Sequence, residues 1–226
     1  MKQAALHITN GESAVSLMRE TGWSGGFLAW DDVLHVGPVP AGLSLDELLQ
    51  VRAGYISGLG WGEYVAIAER FAARDTVLKS SAHFDKVVLW FESDRYDQLH
   101  ILQIFDWFSE QKTHAPLVSM ICTSRYLSEC TPESFSALSR FEQPVSAGQL
   151  SLARRAWAAF RSTTPQPWFD LLSIDTGALP FLKDAIVRML EEYPSVVNGL
   201  NRSAQLALAI VAAGESRAGG QPLSAQ

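Results

Sequence analysis

Three short stretches hold most of the residues that could do chemistry. Asn10-Gly11-Glu12-Ser13 combines an amide, a glycine turn, a carboxylate and a hydroxyl. Asp31-Asp32 is followed by His35 in a loop stiffened by Pro38 and Pro40. Glu92-Ser93-Asp94-Arg95-Tyr96-Asp97-Gln98 gathers three carboxylates, a phenol and an amide. A hard cation held by Asp31, Glu92 or Asp94 through oxygen ligands is one use of this set. A second is a carboxylate beside His35, acting as base and orienter. A third is anion binding by backbone N–H groups at the Asn10-Gly11 turn. Thr123, Ser124 and Arg125 form a fourth, thinner group. Ser13, His35 and Asp31 do not make a nucleophilic triad by motif, because Ser13 sits in no nucleophile elbow.

The elements that would position these groups are legible as strands followed by helices. Lys86-Val87-Val88-Leu89-Trp90-Phe91 is a continuous apolar run, as expected of a parallel strand covered on both faces. Similar runs at 4–8, 27–30 and 116–122 predict three more strands, each ending in polar residues. Helices are expected after the first strand to Glu20, at 44–59 and 62–81, and from about Asp97 to Gln111. Ser44 with Glu47 has capping-box spacing, while Ser13 is expected to cap the first helix. The alternation predicts an α/β fold: a mainly parallel, doubly wound sheet of about four strands, Rossmann- or flavodoxin-like, followed by an all-helical part. In such sheets all strand carboxyl ends share one edge, where ligands bind. The predicted organisation is an α/β domain over 1–130, a helical region over 131–213 and a disordered tail over 214–226.

The site expected at that edge has His35, Glu92 and Asp94 as acid–base groups. His7, Asn10, Gly11, Ser13, Asp31, Tyr96, Asp97 and Gln98 are its ligand contacts. Several of these have plainer readings. His7 inside a strand fits a core histidine, His35 could simply bond its own loop, and Asp97-Gln98 suits a helix's first turn. His83, His100 and His114 read as surface or helix residues. The cofactor is undetermined, with a divalent metal one option, and the reaction, if there is one, stays open.

Composition narrows the partners. The chain has 226 residues and a net charge of −6, with 11 Lys/Arg against 18 Asp/Glu over 1–144. An acidic sheet domain argues against nucleic-acid binding, which depends on phosphate neutralisation. No apolar stretch reaches the length of a membrane span, and no signal region precedes the first strand. Cys122 and Cys130 lack zinc-site spacing, which fits a reducing, cytoplasmic setting. A small-molecule ligand is the expected partner, with homo-oligomerisation open.

The segments Leu6-His7-Ile8-Thr9-Asn10-Gly11-Glu12-Ser13, Trp30-Asp31-Asp32-Val33-Leu34-His35-Val36-Gly37-Pro38-Val39 and Leu89 through Leu99 resemble a bacterial family, domain of unknown function 1835. Gln149 through Trp157 and Glu192-Tyr193-Pro194-Ser195 with Asn198-Gly199-Leu200 extend the likeness over nearly the whole chain. The resemblance implies that the three polar stretches form one functional region. It brings no reaction with it. The chain differs from the family pattern at Val36, where an acidic residue is expected, and at Glu12, where aspartate is expected. Asn198 to Ser203 is similar to the lead-in of a winged-helix module, although only one helix follows.

Overall fold

The structure is a computed structural model that describes residues 3–111 and 116–218. Its centre is a five-stranded sheet in the order β2-β1-β3-β4-β5. The strands are β1 Gln3–Thr9, β2 Gly26–Ala29, β3 Phe84–Glu92, β4 Leu117–Thr123 and β5 Gln143–Pro144. The first four pair in parallel, and β5 adds a two-residue antiparallel edge beside β4. That fifth strand falls in the part expected to be all helical. Two residues carry too little pattern to show as a strand, and only the pairing with Ser119 and Met120 defines it.

β3 is central, and every residue from Val87 to Glu92 is buried. Its side chains alternate between two cores. Val87, Leu89 and Phe91 join Leu6, Ile8 and Leu28 against α4 Arg95–Glu110, α6 Ala147–Phe160 and α8 Leu182–Leu190. Val88 and Trp90 face the other way, onto Ala14 and Met18 of α1 Gly11–Glu20 and Phe135 of α5 Pro132–Ser136. A strand covered on both faces must be apolar at every position, which explains its unbroken hydrophobic run. A smaller core joins α2 Leu45–Gly58 to α3 Tyr64–Lys79 through Leu49, Ala53, Ile56, Ile67 and Phe71.

The strand order sets the site. From β1 the chain steps to β2 on one side, then crosses back to β3 on the other. Right-handed crossovers in opposite directions place α1 on one face and the α2–α3 pair on the other. The order reverses between the carboxyl ends of β1 and β3, the place where open α/β sheets form a ligand crevice.

The helical part continues with α7 Gln166–Leu172 and ends in α9 Arg202–Ala218. α9 extends five residues into the segment expected to be disordered from 214; residues 219–226 lie outside those described, as does His114. No helix among the described residues is long and apolar enough to cross a membrane.

Candidate functional site

The crevice begins at the end of β1. Gly11 has φ +74, a left-handed backbone that costs an L side chain, although a Cβ there would meet no atom within 4 Å. Asn10 is the N-cap of α1, but its side chain makes no capping bond. The leading N–H groups of α1 are thus not satisfied by their cap residue. Ser13, expected in that role, lies exposed within the first turn, three residues past the true cap.

Across the crevice, Asp94 caps α4, its Oδ1 accepting the Asp97 N–H at 2.9 Å. This fixes the first turn of α4 and drives Asp97 inward. Asp97 is fully buried, and its Oδ2 accepts the Glu92 N–H at 2.6 Å. Its Oδ1 has no hydrogen-bond partner, although the Asn10 side chain lies near enough to favour the charged form. Burial dominates, reinforced by Asp94 and Glu92, and pushes the Asp97 carboxyl up to about 8. At neutral pH Asp97 is therefore mainly a neutral acid. Gln98 is also buried, its Nε2 donating to the Glu92 carbonyl at 2.8 Å.

Glu92 itself turns away. It shares pleat parity with Val88 and Trp90, so its carboxylate points to the α1 face. There Oε1 accepts the Leu127 N–H at 2.7 Å and anchors the 3₁₀ turn Leu127–Glu129. Burial raises its pKa, partly offset by that bond. Glu92, expected as an acid–base group, has a structural partner at its carboxylate.

On the opposite face, the loop after β2 is built around Arg52 of α2. Arg52 is buried and grips Asp32 with three bonds of 2.9–3.1 Å. Its remaining donors reach the carbonyls of Val33 at 2.9 Å, Val36 at 2.8 Å and Pro38 at 3.2 Å. One guanidinium thus holds the loop that carries His35. Gly37 completes it with φ +81; a Cβ there would lie 2.2 Å from the Tyr55 ring.

His35 packs edge-on to Tyr96 with centroids 5.4 Å apart, and Tyr96 in turn lies 4.5 Å from the ring of His100. His100 is completely buried, its Nε2 2.5 Å from the Asp32 carbonyl. Burial lowers the pKa of His100 to about 4, and burial with Arg95 and Arg52 lowers that of His35. Both rings are neutral at pH 7. The Tyr96 phenol is pushed above its usual range by burial and by Asp31, Asp32, Asp97 and Asp94.

Two residues remain, and Asp31 stays close enough to Tyr96 to bear on its phenol. Asp31 pairs with Arg70 at 3.2 Å. His7 is buried in the core on the α1 face, where its Nδ1 accepts the Trp90 indole N–H at 3.1 Å beside Trp23 and Phe27. Expected as a ligand contact, it packs as a core histidine two residues before the end of β1. Among the described residues, no three His, Cys, Asp or Glu side chains are disposed to hold a metal ion. The cation set of Asp31, Glu92 and Asp94 does not converge, since each carboxylate has a different protein partner.

The structure brings together Asn10, Gly11, Asp94 and Asp97 at the crevice, with His35 and Tyr96 as neighbours on one face. Sequence reasoning missed Arg52 and His100. Arg52 falls four residues after Leu48 and four before Ile56, a charge at core spacing, while His100 is one turn from Tyr96. Comparison of the chain with protein-family models, with curated proteins and with solved structures finds no match.

Proposed function

We propose that the chain binds a small phosphorylated or nucleotide-like ligand in the crevice between β1 and β3, as a Rossmann- or flavodoxin-like member of the domain-of-unknown-function 1835 family. The observation that carries this reading is the reversal of strand order beside the uncapped start of α1. Such a helix end favours anions through its free N–H groups and dipole. An ionised carboxylate beside it would repel the same anion. Asp97, its carboxyl pushed up by burial, adds no further charge to the Glu12 and Asp94 carboxylates there and is a positioning residue behind Asn10. Neutral His35 and the Tyr96 phenol would border the non-phosphate part of the ligand.

A second reading, a sensor without catalysis, draws on Arg95. This residue follows the α4 cap and pairs with Glu192 at 2.7 Å, while Ser203 of α9 donates to the same carboxylate oxygen at 2.7 Å. A cavity of about 410 Å³ lies here, lined by Asp94, Arg95, Tyr96, Asp184 and Arg188. Occupancy of the crevice would be felt by the C-terminal helices through this contact.

A thermal-shift series with inorganic phosphate, pyrophosphate and nucleoside mono-, di- and triphosphates tests the ligand class. Saturable stabilisation by a phosphorylated compound, absent with its unphosphorylated counterpart, is the expected result. No stabilisation by any member, or equal response to the unphosphorylated compound, contradicts the proposal. Turnover of the stabilising compound separates the enzyme from the sensor.

A further inference from the structure

A cavity of about 300 Å³ lies between the start of α2, the second half of α4 and the end of α6. From Asp97 to Asp106 the helix α4 rises about 14 Å, so this cavity is separate from the crevice. Buried Leu48, Gln103 and Trp157 form its floor, and exposed Gly42, Ser44 and Glu110 its rim. Two donors that line it lack partners. Gln103 is 3% exposed, and its Oε1 accepts the Trp30 indole N–H at 3.0 Å. An indole N–H can only donate, so this bond fixes which end of the amide is oxygen. The Nε2 left over has no hydrogen-bond partner among the described residues. Arg161 is half-buried, its guanidinium 5.4 Å from the centre of the Trp157 ring. Its Nε is buried and unpaired, and the guanidinium forms no ion pair among the described residues. Donors held this way cost free energy that an acceptor in the cavity would offset.

The same cavity holds the opposite charge. Asp106 is half-buried, and its carboxylate makes no hydrogen bond or ion pair among the described residues. Burial and Glu110 raise its pKa, while Arg161 and Arg154 pull it back. Asp106 and Arg161 therefore feel each other's charge without closing an ion pair.

We infer that this cavity binds a free α-amino acid with an apolar side chain. The ligand's carboxylate takes the Arg161 and Gln103 donors, a pairing that guanidinium geometry favours. Its ammonium lies against Asp106 and Glu110, whose mutual repulsion a cation relieves. Its side chain lies against Leu48, Trp107 and Trp157. An unpaired acid and an unpaired base in one cavity select a zwitterion. A simple anion would face Asp106 and Glu110 uncompensated, and a simple cation would face Arg161. The volume is at the low end for ligand pockets, which suits a molecule of this size.

The test is isothermal titration calorimetry of the full chain at neutral pH with leucine and with methionine. At least one of the two should bind saturably. Leucinamide and methioninamide lack the carboxylate, and the N-acetyl derivatives lack the ammonium. Each should bind at least about tenfold more weakly than its parent amino acid, the loss expected when a charged hydrogen-bonding group is removed. Arg161→Gln and Asp106→Asn should each weaken binding of the amino acid by about tenfold or more, with circular dichroism unchanged. No saturable heat from either amino acid overturns the inference. So does a derivative that binds as tightly as its parent, a result read on the wild-type chain whether or not the variants fold. Folded variants that both keep wild-type affinity overturn it as well.

Discussion

Replacing Asp97 with asparagine isolates the buried acid. The carboxamide oxygen can still accept the Glu92 N–H, so the 2.6 Å bond has a successor and the first turn of α4 keeps its geometry. What changes is the proton. Unfolded, Asp97 ionises near 3.8; folded, it does so at about 8. A folded-state pKa raised above the unfolded value contributes stability that is full below 3.8 and is lost as pH rises towards 8. At pH 7, keeping the proton costs about 4 kcal/mol at most, from 1.36 kcal/mol per pH unit across the gap. Local relaxation around a buried carboxyl halves this to about 2 kcal/mol, because the effective dielectric there exceeds that of a dry interior. Asp97→Asn should therefore be more stable at pH 7, with a Tm rise of about 4–8 °C for a chain of this size. The difference should shrink to nothing near pH 4. Comparing the two proteins by denaturant unfolding from pH 4 to 8.5 cancels the histidines, which titrate alike in both. A variant less stable than wild type at pH 7, or a difference that ignores pH, would show Asp97 ionised and refute the reasoning.

Removing Arg52 leaves Asp32 buried without its counter-ion. Arg52→Ala should destabilise by about 3–5 kcal/mol in urea unfolding, and the His35 ring resonance should move towards a solvent-exposed position by NMR. Full stability would mean that the loop holds itself. Glu92→Gln should leave the Tm unchanged or slightly raised, since the amide oxygen can take the Leu127 N–H and an ionisable group is lost from a buried place. Glu92→Ala, which strands that N–H, should cost about 1–3 kcal/mol, and neither variant should alter the phosphate response. A phosphate response lost in Glu92→Gln would return the side chain to the site.

The parallel sheet was legible because β3 must be apolar at every position, and the run from Val87 to Phe91 admits little else. The start of α2 was legible from Ser44 and Glu47, which form the reciprocal bonds that their spacing implies. The three polar stretches do reach the same sheet edge. Their division between its two faces was hidden, since Glu92 and Asp97 lie only five residues apart, yet pleat parity at the end of β3 sends one to Leu127 while the capped first turn of α4 carries the other under Asn10. Asp32 looked like a free carboxylate because its partner, Arg52, lies twenty residues away on a helix whose other core positions are aliphatic. His100 looked like an ordinary helix residue because α4 is buried almost all round, so no polar face marked it out.

The central claim is that phosphate binds at the start of α1, and backbone amide resonances report on it residue by residue. In a ¹H–¹⁵N titration of the full chain with pyrophosphate and with a nucleoside diphosphate, saturable shifts should concentrate at Gly11, Glu12 and Ser13. Smaller ones are expected at Asp94 to Gln98. Asn10→Ala should leave the fold intact and weaken both sets together. Shifts confined to another surface, or none where the thermal assay reports binding, would contradict the account.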